Sequence, residues 1–247
     1  MAETAVRPKG LSNARLKAIG LVCVALSAVD TGFLFRGLPA DLNDADLTNL
    51  TAAVLLEALS WIALPVYAWL LYSGLTHTAS VRHYGLRLLA LAVVAEVPYD
   101  LVTFGTPWDL SSQNPVFALV VCLVVLWALG LIRERPRGRG LLTVVVVVAG
   151  IMWLLYFNIG LRLSYVPTGV ILLALCLVFF YLHGKENTMT LVGAAIGALA
   201  VAFPAFGFVF IHFRNETTGI RSKKEQYAYY ALYPFLLAAV AAAAAVR

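Results

Sequence analysis

The sequence predicts an all-α, polytopic bundle of transmembrane helices, and three observations predict it. Of the 247 residues, 62% are hydrophobic and only 13% charged, whereas a soluble domain runs near half apolar and a quarter charged. The mean hydropathy is +0.86, an excess that one water-soluble core cannot hide, so lipid must be the solvent for much of the surface. The apolar residues also fall into long runs without apolar/polar alternation, which excludes a β-barrel and favours helices that satisfy their own backbone in lipid.

A crossing needs roughly 20 apolar residues at 1.5 Å rise each. About eight runs qualify: 16–36, 50–74, 84–104, 115–132, 141–157, 165–182, 189–213 and 227–246. The fifth is short but almost charge-free. The opening Met1–Gly10 is polar and no small-residue cleavage site follows the first run, so that run is expected to be a retained crossing. Cys23, Cys122 and Cys176 sit inside apolar runs without metal-type spacing and are expected to be buried, inert thiols.

Lys and Arg in the loops set the orientation. With the N-terminus inside, the inner segments hold Arg7, Lys9, Arg15, Lys17, Arg82, Arg87, Arg133, Arg135, Arg137, Arg139, Lys185 and Arg247. The outer loops hold Arg36, Arg162, Arg214, Arg221, Lys223 and Lys224, and the first of them is acidic, with Asp41, Asp44 and Asp46. Eight crossings put both termini in the cytoplasm. One loop breaks the pattern: Arg214–Gln226 falls outside yet is basic, either as a headgroup-binding flank or as a dock for an anionic substrate.

Ionisable residues at membrane depth are costly and mark functional sites by default. Asp30 lies late in the first run and Glu57 early in the second. Glu96 and Asp100 lie in the third, four apart and therefore on one helix face. Such a pair can share a proton, bind a cation or act as acid and base; the alternative is structural pairing of Glu96 with Arg162 or Arg214, expected at the same level. His77, His83 and His183 read as interfacial. His212, expected near the outer end beside Arg214, is the one histidine to test as a base. Pro65, Pro98, Pro167, Pro204 and Pro234 fall in or near crossings, where proline kinks helices and opens cavities. No nucleotide loop, G-x-S-x-G elbow or paired-cysteine zinc pattern is present, nor is an internal repeat visible.

The stretch LTHTASVRHYGLRLLALAVVAEVPYDL, Leu75–Leu101, is more specific. With Gly74 before it, it resembles the TraX-type family, named for the conjugative-pilin acetylase, at Gly74, Thr78, Tyr84, Arg87, Leu88, Glu96, Pro98, Tyr99 and Asp100. Further blocks follow in the family's order: Trp61–Ser73 with Pro65, Gln113–Leu119 with Asn114, the pair Tyr165 and Gly169, and Gln226–Pro234. The resemblance spans residues 1–247 as one transmembrane domain. It implies acyl transfer in the bacterial cytoplasmic membrane, usually of acetyl from acetyl-CoA, to an extracytoplasmic acceptor.

Under that resemblance Glu96, Asp100, Asp30 and His212 are the candidate catalytic groups. Arg87 is the candidate for CoA phosphates, because arginine binds them bidentately. Tyr84, Asn114, Arg162 and Arg214 are candidates for substrate contacts. No metal and no nucleic acid is expected, and the bilayer is the constant partner. The sequence departs from the family at its histidines. The first-span Asp-His pair falls on Ser27-Ala28, or on Asp30-Thr31 if shifted, and the final Tyr-Pro-x-His reads Tyr233, Pro234, Phe235, Leu236. The Gly-Arg pair of the second span is Ser60-Trp61. Two alternatives therefore stand beside an active acyltransferase: an inactive homologue serving as an accessory subunit of a membrane complex, and a small transporter.

Overall fold

A computed structural model describes residues 9–37, 46–163, 165–215, 217–219 and 222–246. Arg7, Asp41, Asp44, Arg221 and Arg247, used above to orient the chain, lie outside them. The described chain is all-helical apart from one small β-hairpin. Helix α1 (Asn13–Val29) continues as a π-helical turn (Asp30–Leu34) and a 3₁₀ turn (Phe35–Gly37). The second apolar run forms α2 (Leu47–Ser60) and α3 (Ala63–His77), which break at Trp61 and Ile62 and make one 31-residue crossing segment. Then come α4 (Val81–Thr103), α5 (Pro115–Arg133) and α6 (Arg139–Tyr156). Strands β1 (Leu161–Arg162) and β2 (Val166–Pro167) pair antiparallel before α7 (Thr168–Leu182). Last are α8 (Glu186–Val201), α9 (Pro204–His212) and α10 (Lys223–Ala245).

Among the described residues, five helical segments are long and apolar enough to cross a membrane: 13–34, 47–77, 115–133, 139–156 and 224–245. Helix α4 spans 23 residues but carries Arg82, Arg87, Glu96 and Asp100, so its length rather than its apolarity suits a crossing. The core joins α3, α5 and α7 through Trp69, Leu123, Leu126, Leu173, Leu175 and Phe179. Helix α6, the run that looked shortest, is one unbroken helix with Leu141, Val144, Val148 and Met152 bare on its outer face, as lipid-facing residues are. The three cysteines are buried and free.

The run 189–213 departs from its expected form. It is not one crossing but two helices, α8 and α9, folded back on each other. Ala202 takes φ 66°, where no right-handed helix continues, and Pro204 starts the return at the first helical position. Two glycines allow the close approach: a Cβ on Gly193 would meet the Phe208 ring, and one on Gly197 would stand 2.8 Å from the Ala205 nitrogen. Both ends of the hairpin therefore lie on one face of the bundle, where the Arg214 guanidinium forms a bidentate ion pair with Glu186 (2.6 and 2.8 Å) and covers the Trp69 ring.

This changes the placement of everything downstream. Backbone bonds join Leu11 N to Phe213 O and Asn13 N to Thr217 O, so the basic loop after α9 lies at the start of α1. Helix α10 runs parallel to α1: Lys17 sits over the Tyr229 ring at one end, and Ala241–Ala245 pack near Arg36 and Gly105 at the other. The two described ends of the chain thus lie on opposite faces. Among the described residues, the all-α fold with several membrane-suited helices is as expected, and the run 189–213 is a returning hairpin.

Candidate functional site

A large cavity, about 1340 Å³, runs along the inside of the bundle. On α4 and its flanks it is lined from His77 and Ser80 to Thr103 and Phe104, and on α1 from Asn13 to Thr31. The nineteen steps from Tyr84 to Thr103 rise about 28 Å, close to the thickness of a bilayer's hydrocarbon. The half toward the N-terminal face is cationic and aromatic, with Lys17, His77, His83, Arg87, Tyr229 and Tyr230. The buried Nε of Arg87 has no hydrogen-bond partner among the described residues. Tyr84, also in this wall, packs on Gly74, where a Cβ would stand 2.7 Å from its hydroxyl; this explains two family-block residues as one helix contact. The middle is apolar, with Leu21, Leu64, Leu88 and Leu119.

The far end is polar, and its centre is Arg162. The guanidinium Nη2 lies 2.7 Å from Glu57 Oε2, 2.7 Å from Ser60 Oγ and 2.6 Å from Ser27 Oγ. Its face covers the Trp61 ring at 5.1 Å, and the Trp61 indole N–H donates to Glu57 Oε1 at 3.0 Å. Behind this group Asp30 is fully buried at the π-helical turn of α1, in the electrostatic reach of Glu57 and Arg162. Neither Asp30 oxygen receives a hydrogen bond from a donor among the described residues.

Glu96 and Asp100 do something else. Glu96 Oε2 accepts from the Asn114 backbone N–H at 3.1 Å and from its side-chain amide. Asn114 caps α5 through its Oδ1 on Val116 N (2.9 Å) and donates to Ala92 O (2.8 Å). A carboxylate here also meets the positive end of the α5 dipole. Asp100 Oδ2 accepts from Asp109 N at 3.0 Å. The two acids therefore pin the 104–114 loop to α4, and neither lines the cavity. That loop in turn holds the next: Gln113 N donates to Asn158 O, Gly160 N donates to Gln113 O, and Ser112 Oγ donates to Leu161 O at 2.7 Å. Arg162 follows directly. In the exposed part of the loop, hydrogen bonds from Ser111 hold the Asp109 carboxyl below its ordinary range.

Several expectations are corrected by this geometry. Glu96 pairs with Asn114 rather than with an arginine, because Arg162 is bonded to Glu57 and Arg214, at the other end of the bundle, to Glu186. Asn114 is a buried cap rather than a cavity contact. Arg214 is committed to Glu186. His212 is exposed on the N-terminal face with its ring against Phe213, and does not line the cavity. Arg162, Tyr84 and Arg87 do line it. Glu57 was legible as an intramembrane acid, but its meeting with Arg162, Ser27 and Ser60 joins three distant segments and no local spacing announces it. Ser27 and Thr31, which stand where the family's first-span pair would fall, both line the cavity at this end.

A family model described as TraX protein matches residues 14–241. The chain belongs to that family. No curated protein and no solved structure matches the chain. The match runs from the first turn of α1 into α10, and the block around Glu96-x-Pro-x-Asp acquires a physical meaning: it builds the platform that holds the loop leading to Arg162.

Proposed function

We propose that this TraX-family protein is a multi-pass acyltransferase of the bacterial cytoplasmic membrane that passes an acyl group, acetyl from acetyl-CoA above all, to an acceptor at the far face. The observation that carries the reading is the cavity: cationic at one end, apolar in the middle, and built around Glu57 and Arg162 at the other. Lys17 and Arg87 suit the CoA phosphates. Lys17 and Ser27 are ten residues apart on α1, about 15 Å of rise, roughly the reach of a pantetheine arm taken as four to five extended residues.

The chemistry follows from charge. Glu57 takes the proton of the acceptor's hydroxyl or amine as that atom bonds to the acyl carbon. Arg162, released from Glu57, faces the oxyanion together with the Ser27 and Ser60 hydroxyls. When the carbon–sulfur bond breaks, Glu57 returns the proton to the departing thiolate and recovers Arg162. The buried site keeps its net charge throughout, which is what a low-dielectric setting demands. Glu57→Gln is expected to lower acyl transfer by about two to four orders of magnitude, the usual worth of a general base, in purified protein supplied with radiolabelled acetyl-CoA and membrane extract. Wild-type turnover unchanged by this substitution overturns the assignment.

A second reading, an accessory subunit without turnover, has one observation in its favour: the cavity histidines, His77 and His83, both lie at the donor end. It calls for a stoichiometric membrane partner on mild-detergent purification and for no turnover by the isolated chain.

For orientation, we place the N-terminal face in the cytoplasm. Lys9, Arg15, Arg82, the Arg133–Arg139 stretch, Lys185, Arg214 and Lys224 then lie inside, against Arg36 and Arg162 outside, and the basic loop after α9 obeys the positive-inside rule. Alkaline phosphatase fused after Arg247 is expected to be active, since it needs the oxidising side; a silent fusion with a normally expressed chain refutes this topology.

A further inference from the structure

Asp30 has no place in the chemistry above, yet it is a buried acid with both oxygens orphaned among the described residues. It is fully buried, sits where α1 takes on π-helical form, and neither oxygen has a donor among the described residues. Its neighbour is a second carboxyl, Glu57, already committed to Arg162 and to the Trp61 indole. Two carboxylates can hydrogen-bond each other only if one is protonated. Two acids facing one guanidinium also leave one negative charge uncompensated, which a buried site tolerates poorly.

We propose that Asp30 is a proton-binding site: it carries a proton at neutral pH and so fixes the charge of the Glu57–Arg162 pair. The ligand is the proton rather than a metal ion, because Arg162 opposes a second cation and no group of three or more candidate metal ligands occurs among the described residues. The other elements packed on this turn contribute no further charge. Helices α4 and α10 meet it through Val102, Leu237 and Val240, with Tyr99 and Tyr233 as their titratable groups there. The Asp100 carboxyl turns to the loop amide of Asp109, and Arg36, beyond the turn, donates to Leu101 O.

The inference rests on the proposed function for its consequence. An ionised Asp30 would add a negative charge beside the forming oxyanion and hold Arg162 back from it. A protonated Asp30 leaves Arg162 free to change partner. Asp30 is thus a positioning residue that acts through Glu57 and Arg162.

The test uses the full chain in lipid nanodiscs and has two arms. Infrared spectra at neutral pH are expected to show the C=O stretch of a protonated carboxyl that is missing in Asp30→Asn and that shifts in Glu57→Gln, where its neighbour has changed. Identical spectra of wild type and Asp30→Asn in that region overturn the proposal; Asp30→Ser replaces Asn if the first variant does not fold. In the second arm, Asp30→Asn, which mimics the protonated acid, is expected to transfer acyl groups within about twofold of wild type at neutral pH and to escape the wild type's alkaline decline. Loss of transfer at every pH in a folded Asp30→Asn chain overturns it. If wild type shows no transfer, the proposed function fails and the infrared arm alone decides the proton site.

Discussion

Two pairs of buried acids sit toward the same end of this bundle and are used in opposite ways. Glu96 and Asp100 lie four apart on one helix and face backbone N–H donors, so each ionised oxygen that bonds is met by a fixed dipole. Glu57 and Asp30 come from different elements and face one guanidinium between them, Glu57 at the cavity wall and Asp30 buried behind it. The first pair is a joint: it ties α4 to the loops that follow. The second is an electrostatic centre gathered around one arginine. The difference teaches that spacing on a helix identifies acids able to share a structural duty, whereas reactive geometry comes from elements that meet in space.

The sharpest way to break the comparison is to remove the cation. Arg162→Ala leaves the Glu57 charge without its partner and is expected to abolish transfer and to cost about 3 kcal/mol in stability, the lower range for orphaning one member of a buried pair because the arginine side chain is 23% exposed. Unfolding in mild detergent, followed by tryptophan fluorescence, checks the second part. If Arg162→Ala instead retains wild-type turnover, the two acid pairs are equivalent and the cavity end is merely structural.

A smaller effect is expected at the joint. Glu96→Ala leaves the Asn114 N–H groups without their acceptor and should cost about 2 kcal/mol, with transfer falling mainly as the folded fraction falls. Glu96→Gln, which keeps an acceptor oxygen, should recover most of both. A Glu96→Gln chain that is fully folded and fully inactive would put Glu96 in the chemistry and reverse the roles assigned to the two pairs.

The helices were legible because hydropathy over some 20 residues is a coarse and robust signal; even the valine-rich 141–157 run, the least certain by length, is a single helix. The returning hairpin was not, because its turn, Val201–Ala205, is as apolar as its arms and hydropathy cannot see a reversal within an apolar run. Pro204 and the Gly193/Gly197 pair were the available signs, and proline alone also fits a kink. In the site, Asp30 and Glu57 announced themselves as charges at depth. Their convergence on Arg162 did not, since it depends on the Gln113–Asn158 and Ser112–Leu161 bonds that aim the β1 strand. The family block was visible as a motif, but its role as a platform emerged only from its hydrogen bonds.

The clasp between the first residues of α1 and the segment after α9 bears on how the protein is made. Leu11 is bonded to Phe213, and Asn13 to Thr217. Some 200 residues must leave the ribosome between these partners, roughly 10–40 s at ordinary elongation rates. Helix α1 is therefore among the last to be seated. Until then Lys17 and Asp30 ride on a helix whose lasting neighbours have not all been synthesised, so biogenesis must shelter a charged and only partly partnered α1. Truncation just before the clasp should accordingly be read as an arrested assembly rather than as a smaller version of the same bundle.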